Sequence, residues 1–257
     1  MTISYYLCNP TGNITALVRT PVAADYRKRI AGLIMKSEPS TEQVGFVRGC
    51  NLDMAGGEFC GNATLSAAAL CCLENGIDDA EIIMTVSGAK EPVNTHIKKT
   101  GTNNYSGDVT MPRPLGITET ELDLSGKKIT APLVNFDGIS HIILTQPADK
   151  TECEKEIVKK CEELGAGCLG IMMIENEKLT PLVYVPSPET LVWESSCASG
   201  TTAAGIYLAT QNGGSFSGEF TEPGGKLKIS VSKGSDAKFT AVLSGNVIIS
   251  EELKIEI

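Results

Sequence analysis

Two short stretches, 137 positions apart, repeat one arrangement, and the repetition limits the fold more than any other feature of the 257-residue chain. The first runs Gly56-Gly57-Glu58-Phe59-Cys60-Gly61-Asn62-Ala63-Thr64-Leu65-Ser66, with alanines following. The second runs Ser195-Ser196-Cys197-Ala198-Ser199-Gly200-Thr201-Thr202-Ala203-Ala204-Gly205. In each, a turn holding one cysteine leads into a helix of small residues suited to close packing. Such a cysteine lies among backbone N–H groups without helical partners, at the positive end of the helix dipole. That environment favours thiolate over thiol. One copy alone would read as a small buried apolar cysteine; a second copy points away from that reading.

The surroundings repeat as well. Each helix meets a stop, near Asn75-Gly76 and near Asn212-Gly213-Gly214. Strand-like segments follow in both halves: Ile82 to Val86, Val93 to Ile97 and Asp108 to Met111, then Gly218 to Thr221, Leu227 to Val231 and Lys238 to Ile249. Gly224-Gly225 and Lys233-Gly234-Ser235 read as turns. Thr151 to Leu164 carries Cys153, Ile157, Val158, Cys161 and Leu164 at helical spacing, and Val22 to Met35 is its expected counterpart. We therefore expect an internal duplication of the α+β class. The N-terminal half covers 1–115 and holds Cys60, with the last strand, about 248–257, able to pack on it. The C-terminal half covers 116–247 and holds Cys197. The join falls at Pro112-Arg113-Pro114-Leu115-Gly116.

A net charge of −9 argues against nucleic acid or an acidic membrane surface as partner. The nine cysteines are odd in number and scattered, with no paired spacing beside histidines that would mark a zinc site. MTISYYLCNPTGN lacks the build of a signal peptide, and no apolar run reaches a membrane span. A reduced, cytoplasmic enzyme or binding protein is expected.

Two thiols brought to opposite faces of a small substrate can invert a carbon centre. One, as thiolate, removes a proton from one face while the other, as thiol, delivers one to the opposite face. Helix N-termini can hold a substrate carboxylate and stabilise charge that develops when the α-carbon loses its proton. No metal or pyridoxal motif is present, so no cofactor is expected.

Several stretches now resemble the cofactor-independent diaminopimelate epimerase superfamily. Asn9-Pro10-Thr11-Gly12-Asn13-Ile14 resembles its G-x-G-N-D-F segment, and Asn51, nine residues before Cys60, matches the asparagine of N-A-D-G. Cys60-Gly61-Asn62-Ala63 resembles C-G-N-G, and Cys197-Ala198-Ser199-Gly200 resembles A-C-G-T-G. Glu222-Pro223-Gly224-Gly225-Lys226-Leu227-Lys228-Ile229 and Leu243-Ser244-Gly245-Asn246-Val247 resemble L-P-G-G-x-L-x-I and T-G-P-A-x-V. The resemblance spans almost the whole chain. It implies two pseudo-symmetric domains, each a curved sheet or barrel around a central helix, with an active site in the cleft between them and a homodimeric assembly. It implies Cys60 and Cys197 as the acid–base pair and Asn13 and Asn51 as holders of the α-amino acid head. It also implies main-chain contacts at Gly61, Asn62, Ala198 and Ser199, and a supporting role for His141 beside a thiol.

The chain departs from the superfamily where a second carboxylate would bind. The E-R-G-x-G-E-T run becomes Pro188-Glu189-Thr190-Leu191-Val192-Trp193-Glu194-Ser195-Ser196, without arginine. G-N-P-H becomes Gly138-Ile139-Ser140-His141, and a further asparagine falls near Gly170. A buried carboxylate facing Glu189 or Glu194 with no cation is strongly disfavoured. The expected substrate is a basic or imidazole amino acid, with Glu189 or Glu194 in the pocket, and the superfamily's histidine racemases are the nearest reading. Diaminopimelate epimerisation, a proline-racemase-like activity and non-catalytic amino acid binding are the alternatives. Phenazine-biosynthesis isomerases share the expected fold but lack the cysteine pair.

Overall fold

A computed structural model describes residues 1–186 and 189–257; Pro188, which opens the run compared above, lies outside the described residues. The chain divides into two compact units, one of residues 1–110 with 244–257, the other of 111–243.

In the first unit the elements are β1 (Thr2–Pro10), β2 (Thr15–Val18), α1 (Ala24–Ser37), β3 (Gln43–Arg48), β4 (Asn51–Met54), α2 (Gly61–Asn75), β5 (Asp79–Val86), β6 (Val93–Gly101) and β7 (Asn104–Met111). The second carries β8 (Gly116–Leu124), β9 (Lys127–Asn135), β10 (Ser140–Leu144), α3 (Lys150–Leu164), β11 (Leu169–Glu175), β12 (Lys178–Pro186), β13 (Glu189–Trp193), α4 (Ala198–Gln211), β14 (Ser215–Glu222), β15 (Gly225–Lys233) and the start of β16 (Phe239–Ile249). The end of β16 and β17 (Leu253–Glu256) belong to the first unit, where both pair with β1.

The pairings repeat between the units. β2 lies parallel to β3 across α1, and β10 parallel to β11 across α3. β4 lies parallel to β5 across α2, and β12 parallel to β14 across α4. The strands before and after these crossovers pair antiparallel in the same sequence, and the second unit adds β13 before α4, paired antiparallel with β12. In the first unit, the end of β16 bonds β1 on one side and meets the start of β7 on the other, where the Ile249 N–H donates to the Asn103 carbonyl at 2.9 Å. β1 to β7 and this segment form a ring about α2.

The composition of α2 and α4 suits that place. Neither helix has a polar stripe, and small side chains let strands approach on every side. In α2 eleven of fifteen residues are buried. The outer helices differ: α1 buries Ile30, Ala31 and Ile34, and α3 buries Cys153, Ile157 and Cys161 against the sheet of its own unit. Gly76 and Gly165 close α2 and α3 in the left-handed conformation, at φ +64° and +59°. Among the described residues, no helix is long and apolar enough to cross a membrane.

Candidate active site

Cys60 and Cys197 are the N-cap residues of α2 and α4 and have nearly the same backbone, φ −132°, ψ 116° and φ −130°, ψ 103°. Each sulfur accepts a backbone N–H three residues on, from Ala63 and from Gly200, both at 3.4 Å. Thiols thus occupy the capping role that Ser or Asp usually fills. Four residues on, the Thr64 hydroxyl donates to the Cys60 carbonyl at 2.7 Å and the Thr201 hydroxyl to the Cys197 carbonyl at 2.8 Å. Gly61 and Asn62, and Ala198 and Ser199, are the first two residues of these helices, where backbone N–H groups have no intrahelical acceptor. The other seven cysteines cap no helix, and all nine are thiols.

Cys197 is buried at 6% exposure, whereas Cys60 is more open. Burial pushes the Cys197 thiol well above its ordinary range, and the charge of Glu194 adds to this. The Ser199 hydroxyl pulls in the opposite direction, Glu222 raises it further, and the Gly200 N–H lowers it. Burial wins, so Cys197 is held as a thiol.

Ser199 links this thiol to His141. Its Oγ lies 3.6 Å from the Cys197 sulfur and 2.9 Å from His141 Nε2. His141 is fully buried, which pushes its pKa down to about 3, and its Nδ1 has no partner. Orphaned buried donors are rarer than under-satisfied acceptors. The ring hydrogen therefore belongs on Nε2, donating to Ser199, which leaves the serine hydrogen for the sulfur. Gly170 makes room for the ring: a Cβ there would stand 2.3 Å from Nδ1.

Asn13 is buried in the loop after β1. Its amide donates to Glu42 Oε2 at 2.6 Å, and its carbonyl oxygen accepts from Gln43 Nε2 at 2.5 Å. Asn51 is exposed at the β3–β4 hairpin and donates to the Arg48 carbonyl at 3.2 Å. Glu194 follows β13, close enough for its charge to act on Cys197. Glu189 is exposed at the other end of β13, roughly 15 Å along the strand. Trp193 packs against the core of its unit and donates to Glu154 Oε1 at 2.6 Å. His96 is half-exposed on β6, with Nε2 2.8 Å from Asp79 Oδ1.

Sequence reasoning passed over three groups. Glu42 reaches Asn13 from the end of the α1 crossover, just before β3. The side chain of Ser199, read above only for its main chain, carries the link to His141. Glu222 is buried beneath Cys197 and accepts its N–H at 2.8 Å; its one signal was a glutamate where the resembled motif has leucine.

Residues 2–255 match the family model described as the histidine racemase CntK N-terminal domain. A histidine racemase of Fusobacterium nucleatum subsp. nucleatum (strain ATCC 23726 / VPI 4351) is 34% identical over 219 residues, covering 80% of this chain and 81% of that protein. One from Staphylococcus aureus (strain Mu50 / ATCC 700699) is 26% identical over 262 residues, covering 95% and 94%. A Bacillus anthracis phenazine biosynthesis protein of the PhzF family superposes with TM-score 0.71 at 13% identity, covering all of both chains. A hydroxyproline epimerase from Agrobacterium vitis, with bound trans-4-OH-L-proline, gives 0.67 at 10% identity, over 99% of this chain and 92% of that one. At such low identities these two structures establish the fold, which is that of the epimerase-like superfamily the motifs resemble. With a family model spanning nearly every residue and a relative 34% identical over four fifths of its length, the chain belongs to the histidine racemase family and is an isomerase of the amino acid racemase class.

Proposed function

We propose that the chain racemises histidine by a two-base mechanism, with Cys60 and Cys197 at opposite faces of the α-carbon. The observation that carries this reading is the duplicated cap, two thiols in matching backbone geometry, each at the start of a buried helix. In one direction Cys60 as thiolate removes the α-proton and Cys197 as thiol supplies one to the other face; in the other direction the roles exchange. The amides of Gly61, Asn62, Ala198 and Ser199 hold the carboxylate as charge builds on it. Asn13 and Asn51 hold the amino acid head, and Glu194 or Glu189 complements an imidazole side chain. His141 supports Cys197 through Ser199. No metal or organic cofactor takes part, and the enzyme works as a homodimer in the reducing cytoplasm.

Two measurements on L-histidine in D₂O test the proposal: loss of the α-proton signal and appearance of the D-enantiomer. Both should proceed in the native chain. Cys60→Ala and Cys197→Ala should each abolish inversion in a folded protein. Inversion by either variant at the native rate would overturn the two-base reading, and inert histidine beside a racemised different amino acid would overturn the substrate.

A further inference from the structure

The contacts of Glu222 contain a count that does not close for a carboxylate. Thr201 Oγ1 lies 2.8 Å from the Cys197 carbonyl oxygen and also hydrogen-bonds Glu222 Oε1. A hydroxyl has one hydrogen. If Glu222 were ionised, the hydroxyl could donate to only one of these two acceptors, and the other contact would set oxygen lone pairs against each other. If Glu222 carries a proton on Oε1, every contact closes: Oε1–H donates to Thr201, Thr201 donates to the Cys197 carbonyl, and Oε2 accepts the Cys197 N–H at 2.8 Å. Burial acts in the same sense, since Glu222 is 3% exposed and its pKa is pushed up to about 8, mainly by desolvation.

The groups facing Glu222 supply no compensating cation. From α4 it meets Cys197 and Thr201, and the charge of Glu194, after β13, raises its pKa further. On β15, Lys226 pairs with Glu219, and on β12 the nearest cation, Lys178, stands in register with Thr221 rather than Glu222. Among the described residues no salt bridge reaches Glu222.

We propose that Glu222 is a positioning residue for Cys197 that works as a neutral acid, holding the cap through the cysteine's N–H and, by way of Thr201, its carbonyl. Ionisation breaks the network and sets a negative charge beside a sulfur that must itself become negative. The active form of Cys197 is therefore lost as Glu222 loses its proton. This rests on the reading of Cys197 as a catalytic thiol, but the protonation of Glu222 can be read without turnover.

The test combines Glu222→Gln with infrared spectroscopy and a pH profile. A glutamine amide donates and accepts where the neutral acid does but cannot ionise. At neutral pH the native protein should show a protonated-carboxyl band that shifts in D₂O, titrates near pH 8 and is missing from the variant. Relative to its own neutral rate, the variant should racemise histidine about tenfold faster than the native chain at roughly pH 9, one unit above the Glu222 midpoint. Absence of the band at neutral pH, or parallel alkaline limbs in the two proteins, would overturn the proposal. If no amino acid is inverted the proposed function fails, and the band alone then decides the state of Glu222. Should the variant not fold, titration of the band in the native chain decides it in the same way.

Discussion

A cysteine at an N-cap is a local device, because the sulfur reaches an amide only three residues away. Part of what makes Cys197 different from Cys60 comes from far along the chain, from His141 through Ser199 and from Glu222. Ser199→Ala would delete the hydrogen bond that lowers the Cys197 thiol and cut its link to His141. We expect turnover to fall about tenfold, the range for losing one charge-assisted hydrogen bond, with the acid limb of the rate profile moving to higher pH. An unchanged profile would leave Ser199 a packing residue. His141 and Glu222 also write opposite signatures into stability. His141 has a folded pKa of about 3, below its unfolded value of about 6.5, so its contribution is present above 6.5 and lost as pH falls towards 3. Glu222 has a folded pKa of about 8, above its unfolded value of about 4.3, so its contribution is present at low pH and lost as pH rises through 8. Each has a limiting slope of about 1.4 kcal/mol per pH unit. Between roughly pH 4.3 and 6.5 these two slopes oppose and cancel. His141→Gln should remove the cancellation, so urea midpoints that level off in the native protein keep rising as pH falls.

At the scale of elements, α2 and α4 are unusual because they are buried all round. Their place depends on how closely strands can approach, more than on any apolar stripe. Gly205 on α4 shows the cost of losing that approach. A Cβ there would meet Ile229 at 2.8 Å and Val231 at 3.1 Å, both β-branched and held in a sheet. Gly205→Ala gains about 1 kcal/mol of helix propensity, whereas overpacking a tight core costs about 1–3 kcal/mol. The clash should win, lowering the urea midpoint without changing its slope. Gly170→Ala carries the same argument to the site: its Cβ would stand 2.3 Å from His141 Nδ1 and push the ring off Ser199. Turnover should fall as in Ser199→Ala, with no further loss in the double variant.

For the whole molecule, the matched pairings of the two units are what one duplicated α+β plan would produce, and the proposed function assigns substrate specificity to the departures of the sequence from the resembled motifs. The run around β13 holds Glu189 and Glu194 and no arginine. LL-diaminopimelate should therefore be a poor substrate beside histidine, because its distal carboxylate finds acids where it needs a cation. Sites that hydrogen-bond a matched group can discriminate by several orders of magnitude. A competition assay with both amino acids measures this, and preference for diaminopimelate would make the altered run a neutral variation. Activity should also survive dialysis against a chelator and fall on oxidation, with reductant restoring it.

Much of this was legible along the chain. Capping, helix stops and strand alternation act over three to five residues, so the two thiol caps, the central helices and the strands after them could be read directly. Thr151 to Leu164 was expected as a helix and is observed as Lys150–Leu164. The pairs that set the chemistry of Cys197 are not local. Glu222 lies 25 positions from Cys197 and His141 lies 58 from Ser199, brought together by parallel crossovers that carry no periodic signal. Burial, which holds His141 neutral and Glu222 protonated, depends on the packing around each group. Residue order by itself determined which atoms could do the chemistry, because caps are local; tertiary structure alone decided their protonation, because desolvation belongs to the packed fold.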